Sequence, residues 1–191
     1  AYTLDHHIIM NGGIYSPEAE LSGAQKYLTL PVIGSVLTRL VSPRRFASLM
    51  GDAKTKVYSS GLTPEEIENL ASILAYQSGL TVFSETLRYL DERRTHEVDW
   101  LEAVGRSDVP TTLIWGEQDP IAKTAIADHV WKNYLRGRSA SAVYWRIPCA
   151  SHYPQQDQPG IIVRLVRQAL TGATSAELSS SAGECDPVRV D

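Results

Sequence analysis

The chain has 191 residues, 43% of them hydrophobic and 21% charged, with a formal net charge of −4. This is the composition of an ordinary globular protein of about one domain. The mild negative balance argues against a nucleic-acid partner, and the small basic clusters Arg44-Arg45 and Arg93-Arg94 are predicted to lie on solvated helix faces.

Leu4 to Ile14 opens with the apolar run around Ile8-Ile9-Met10 and closes on Asn11-Gly12-Gly13, the pattern of a buried strand and a sharp turn. No basic segment followed by an apolar stretch precedes it, so no signal peptide is expected. The next eighty or so residues read as helix. Pro17 to Leu30 is one piece, Pro31 to Val41 a second and Pro43 to Met50 a third. The most apolar stretch, Tyr27 to Val41, is broken by Pro31, Gly34 and Arg39 and is too short to span a bilayer. Core packing is its simplest account, and contact with lipid is left open. Thr63-Pro64-Glu65-Glu66 has capping-box spacing with Pro at the first helical position, which predicts a helix with Ile67, Leu70, Ala71 and Leu74 on one face and Gly79 as its stop. Leu80 to Arg94 is a further amphipathic helix with Val82, Leu87 and Leu90 inward, and Asp99 to Val104 a short helical approach.

Thr111 to Trp115 and Ala142 to Ile147 are the second and third strands. Ile121 to Leu135 is helical between them, with Ile126, Val130 and Tyr134 on one stripe. Pro159 to Leu170 is the closing helix, with Ile161, Ile162, Leu165, Val166 and Ala169 facing the core. From Thr171 the chain loses periodicity and reads as a disordered tail. Cys149 and Cys185, the second of them in that tail, make neither a disulfide framework nor a zinc site; a reducing, cytoplasmic compartment is the expectation.

Two segments carry chemistry. Gly116-Glu117-Gln118-Asp119-Pro120 follows the second strand, and Ser151-His152-Tyr153-Pro154 follows the third, so a carboxylate and an imidazole stand just past strand ends, 33 positions apart. A carboxylate that orients an imidazole, which in turn activates a nucleophile or water, is the arrangement of acyl and alkyl hydrolases. Acid before histidine is the order in which an α/β-hydrolase completes its triad. Asp119 and His152 are the candidate catalytic residues. His6 and His7 point to opposite faces of one strand and cannot share a metal. No metal, no nucleotide and no cofactor are expected.

Ile114-Trp115-Gly116-Glu117-Gln118-Asp119-Pro120 resembles the strand and acid turn of the α/β-hydrolase superfamily, and Cys149-Ala150-Ser151-His152-Tyr153-Pro154 with Asp157-Gln158-Pro159 resembles its histidine loop. Met10-Asn11-Gly12-Gly13-Ile14-Tyr15, Val36-Leu37-Thr38-Arg39-Leu40 and Ser151-His152-Tyr153-Pro154-Gln155 are similar to the mesoderm-specific transcript group, near the epoxide hydrolases and haloalkane dehalogenases. The resemblance covers about residues 4 to 170. It implies an α/β chain carrying the C-terminal part of that fold: a core strand and turn over 1–15, a helical cap over 16–105, core over 106–171 and a tail over 172–191. It also implies that the nucleophile and oxyanion loop belong to an N-terminal half of the fold absent from these 191 residues. The nucleophile would be Asp in the epoxide hydrolase and dehalogenase branch, or Ser in an esterase. The chain alone is then expected to be inactive, its partners being that missing half and a small apolar ester, epoxide or halide. Tyr58, Tyr76 and Tyr89 are ring-protonating candidates by location only, with core packing the simpler account. A non-catalytic binding scaffold on the same fold is the alternative.

Overall fold

A computed structural model describes residues 3–19, 23–172 and 183–191. Four strands form one sheet in the order β1 (His7–Met10), β2 (Thr111–Gly116), β3 (Ala142–Ile147) and β4 (Val188–Val190). The first three are parallel, with Met10 opposite Ile114 and Gly116 opposite Ile147, and β4 runs antiparallel to β3. Among the described residues no strand pairs with the outer side of β1.

Strand alternation divides the core. Ile9, Leu113, Trp115 and Tyr144 face one side, and Ile8, Met10, Ile114, Trp145 and Ile147 the other. The first side packs on Leu101 of helix α6 (Tyr89–Arg106) and on Ile126 and Val130 of α7 (Thr124–Val130), which continues as a π-helical turn over Trp131–Leu135. The second packs on Ile162 and Leu165 of α9 (Pro159–Thr171), which follows the short α8 (Pro154–Asp157). Cover on both faces explains why β2 is buried along its whole length and reads as an unbroken apolar run.

Between β1 and β2 lie α1 (Gly23–Leu28), α2 (Pro31–Leu40), α3 (Pro43–Gly51), α4 (Pro64–Ala75), α5 (Gly79–Thr86) and then α6. The capping box forms as the spacing predicts: Thr63 Oγ1 accepts from the Glu66 N–H at 3.3 Å, and Glu66 Oε2 accepts from the Thr63 N–H at 2.8 Å. Ala71 is buried and Ile67, Leu70 and Leu74 are half-buried on the same stripe.

The helical stretch is partitioned differently from the expectation. Pro17 to Leu30 is not one helix: a 3-10 turn over Ser16–Glu18 leads to a bridge between Ala19 and Ala122, residues 20–22 lie outside the described residues, and α1 begins at Gly23. Gly79 does not end a helix but starts α5. The break falls at Gln77 and Ser78, which take φ of 48° and 59°, whereas a glycine stops a helix only by adopting that left-handed conformation itself. Asp99 to Val104 is the last part of α6 rather than a separate piece. Leu87 and Leu90 are buried as expected, but Val82 is exposed.

The tail over 172–191 also needs correction. Residues 173–182 lie outside the described residues, but Val188–Val190 pairs with β3, Asp186 meets Arg164 at 3.2 Å, and Cys185 is bonded to Cys149 in a disulfide. Periodicity could not reveal this, because a three-residue strand gives too few alternations to stand out and the two cysteines are 36 positions apart. The pairing removes the basis for assigning a reducing compartment, since disulfides persist in oxidising ones. Among the described residues no helix is long and apolar enough to cross a membrane.

Candidate active site

The parallel ladder carries β1, β2 and β3 to the same end of the sheet, and each chain segment leaving that end contributes one polar side chain. Asn11 follows β1, Asp119 follows β2 and His152 follows β3. Gly116 lets the second and third segments approach. A Cβ there would stand 2.4 Å from the Ser151 carbonyl oxygen and 2.6 Å from that of Ala150, both fixed backbone atoms. With no side chain in the way, the Glu117 and Gln118 N–H groups donate to the carbonyls of Ile147 and Ala150 at 3.1 and 3.0 Å, tying the acid turn to the histidine loop.

Asp119 is 5% exposed. Its Oδ1 accepts from the N–H groups of Ile121 at 2.7 Å and Ala122 at 2.9 Å, which holds the turn. Its Oδ2 accepts from Asn11 Nδ2 at 2.7 Å and lies 2.8 Å from His152 Nδ1. A carboxylate offers about four acceptor positions, and all are used. With the Asp119 carboxylate as acceptor, Nδ1 is the donor of this contact, and the second ring nitrogen, Nε2, makes no hydrogen bond among the described residues. The His152 side chain is 20% exposed, so its ring is reachable while its partner carboxylate is sealed.

Asn11 was legible only as a turn residue. In the structure it is buried, sits at φ 37°, accepts from the Gly116 N–H at 2.9 Å and donates to Asp119. Asn tolerates that conformation better than most residues. The signal was present in Asn-Gly-Gly, but its partner lies 108 positions away.

The loop before α4 closes over the histidine. The His152 N–H donates to the Val57 carbonyl at 3.2 Å and Ser151 Oγ to that of Lys56. Asp157 accepts from the N–H groups of Ser59 at 3.0 Å and Ser151 at 2.7 Å. The rings of Tyr58 and Tyr153 stack at 4.9 Å, and that of Tyr153 meets His152 edge-on at the same distance. Burial, reinforced by Tyr153, Asp157 and Glu66, pushes the Tyr58 hydroxyl up to about 12. Burial also raises Tyr153, with Tyr89 and Asp119 adding to it. Both phenols therefore stay protonated at neutral pH. Of the three tyrosines singled out by location, only Tyr58 is buried; Tyr76 and Tyr89 are exposed. His6 and His7 meet Thr112 and Thr111.

No protein-family profile matches the chain. It is 31% identical over 160 residues to LipZ of Mycobacterium tuberculosis, which carries the name of a hydrolase, an alignment spanning 83% of this chain and 52% of LipZ. It is 25% identical over 168 residues to the mesoderm-specific transcript protein of Mus musculus, spanning 82% of this chain and 46% of that protein. Among solved structures, an α/β-hydrolase-fold protein from Burkholderia ambifaria superposes with a TM-score of 0.62 at 16% identity, over 85% of this chain and 56% of that one. This is an α/β-hydrolase fold. The haloalkane dehalogenase DatA of Agrobacterium tumefaciens superposes as well, with a TM-score of 0.56 at 18% identity, over 87% of this chain and 55% of that one. The α/β-hydrolase-fold chain described here spans about half the length of the relatives it matches. The relatives agree with the resemblance carried by the acid turn and the histidine loop.

Proposed function

We propose that this chain supplies the acid and the histidine of a hydrolase site. The observation that carries the reading is the 2.8 Å contact between a fully hydrogen-bonded, buried Asp119 and a partly exposed His152 whose second ring nitrogen is unused. Such a pair extracts a proton from a nucleophile or a water and returns it to a leaving group, while the carboxylate holds the tautomer and stabilises the imidazolium. The nucleophile and the oxyanion donors come, in this reading, from the half of the relatives' length that the chain does not span. The helices between β1 and β2 form the cap, docked on the histidine loop through residues 56–59, and the substrate is a small ester, epoxide or halide with an apolar body.

The test is turnover of p-nitrophenyl butyrate, styrene oxide and 1-bromobutane. The 191-residue chain alone should show none, because an imidazole-carboxylate pair without positioned oxyanion donors lacks a leading source of transition-state stabilisation. Joined to an N-terminal half drawn from LipZ, it should turn over at least one of them, and His152→Ala or Asp119→Ala should cost orders of magnitude. Saturable turnover by the chain alone, abolished by His152→Ala, would place a nucleophile within these residues and overturn the division of labour. Turnover in the hybrid that survives His152→Ala would overturn the site.

A further inference from the structure

Helix α2 presents its apolar stripe to solvent. Its inner side is small or polar: Gly34 is buried, a Cβ there standing 3.1 Å from Ser84 Cβ of α5, and Thr38 is 2% exposed. Thr38 Oγ1 donates to the Gly34 carbonyl at 3.0 Å, and Leu37 packs on the cluster of Leu28, Leu87 and Leu90. Val32 and Leu40 are 75% and 77% exposed, and Ile33 and Val36 are exposed as well. At about 100° per residue, Arg39, Val32, Val36, Leu40 and Ile33 follow one another around an arc of about 120°. A surface helix ordinarily turns such an arc inward. Core packing therefore accounts for Leu28 and Leu37 but not for this stripe, which Tyr27 and Leu30, also exposed, extend towards α1.

The charge around the stripe has one sign. From Gly23 to Gly51 the chain carries Lys26, Arg39, Arg44 and Arg45 and no Asp or Glu, although the protein as a whole is acidic. Lys26, Arg39 and Arg45 are exposed, and Arg44 pairs with Glu68 of α4. Arg44 and Arg45 stand four and five residues past Leu40, within about 18 Å of chain. Of the two basic pairs expected on solvated helix faces, Arg44-Arg45 keeps that place. Arg93 does not: it is 6% exposed, lies against Gly13 and donates to Ser16 Oγ at 3.0 Å.

An apolar patch rimmed by charge marks a surface that something covers. A second copy of the chain would set basic rim against basic rim, with no carboxylate between Gly23 and Gly51 to meet it. An anionic phospholipid surface suits both features. Its acyl boundary takes up apolar side chains, and its phosphates meet Lys and Arg beside them. Ten residues of α2 are enough to lie on a bilayer and too few to cross one.

We propose that α1, α2 and α3 dock this protein on an anionic phospholipid bilayer, with Val32, Val36 and Leu40 at the acyl boundary and Lys26, Arg39 and Arg45 at the phosphates. The inference is independent of the hydrolase reading.

The experiment follows flotation of the 191-residue chain with vesicles of phosphatidylcholine alone, and of phosphatidylcholine containing phosphatidylglycerol. The anionic vesicles should bind the chain at least about tenfold more tightly at about 0.1 M salt, and the preference should collapse at about 1 M. Val36→Glu with Leu40→Glu should abolish binding, and Arg39→Glu with Arg45→Glu should erase the preference for anionic vesicles. All four positions are exposed, so unchanged thermal unfolding checks that the fold is kept. Val163→Glu, at an exposed position on α9, should bind as the parent does. No flotation, equal flotation with both vesicles, flotation that survives Val36→Glu with Leu40→Glu, or an equal loss from Val163→Glu would overturn the docking surface. A dimer in solution that Val36→Glu with Leu40→Glu dissociates would give the stripe to a second copy instead. Flotation lost once the chain is joined to an N-terminal half drawn from LipZ would give it to that half.

Discussion

The sheet and the helices between its first two strands are built to different standards. In β2 and the segments around it, Leu113, Ile114, Trp115, Ile126, Val130 and Tyr144 are each at most 1% exposed. In the helical stretch, Val32 and Leu40 are more than three-quarters water-accessible or close to it, Ile73 and Tyr76 are similar, and the packed cluster is small, centred on Leu28, Leu87 and Leu90. Local stability follows buried apolar contact, so the sheet forms the rigid part and the helices the adaptable part. Asp119 and His152 are held by the first, and the loop over residues 56–59 that closes on the histidine belongs to the second.

Four changes separate the two regions by size of effect. Trp115→Ala should be the most damaging. It removes a fully buried indole whose Nε1 donates to the Ala122 carbonyl at 2.7 Å, and a loss of about 3–5 kcal/mol is expected from the shift of the urea midpoint. A loss below about 1 kcal/mol would mean that the sheet is not the rigid part. Next comes Asn11→Ala, which strips one donor from the buried Asp119 carboxylate and leaves the Gly116 N–H without its acceptor, for about 1–3 kcal/mol. In the hybrid of the proposed test it should also lower turnover, because Asn11 and His152 share the Asp119 Oδ2.

Within the helices, Thr63→Ala removes the cap of α4 and should cost about 0.5–2 kcal/mol. The same box predicts a pH dependence. Hydrogen bonds from the Thr63 backbone and then its side chain hold the Glu66 carboxyl below its ordinary value. A depressed folded value contributes stability that is present above the unfolded carboxylate range and lost as pH falls through the folded one. Thr63→Ala keeps the backbone donor and loses the hydroxyl, so only the share of its destabilisation carried by the hydroxyl bond to Glu66 should shrink on acidification below about pH 4, the unfolded value, when followed by unfolding at each pH. Smallest of all, Val32→Ala on the exposed face of α2 should stay within about 0.5 kcal/mol. A larger loss would show that this face is covered.

Much of this molecule was readable one segment at a time. The apolar runs of β2 and β3, the acid turn and the histidine loop directly after them, and the capping box at Thr63 are local signals, each completed within a few residues of where it starts. The same holds for the core stripe of α9. Those signals determined an α/β chain with a carboxylate and an imidazole at neighbouring strand ends.

Tertiary structure decided the rest, and in each case the deciding contact spans a distance that periodicity cannot carry. Asn11 becomes part of the site through a carboxylate 108 positions on, and Arg93 is buried because Ser16, 77 positions back, and Gly13 receive it. The end of the chain is ordered by a disulfide across 36 positions and by pairing with β3. An arginine on an amphipathic helix reads as a solvated charge until the fold brings a glycine beneath it. A sequence window weighs each side chain against water and its nearest neighbours, whereas burial of a polar group depends on which distant backbone and side-chain partners the fold delivers to it.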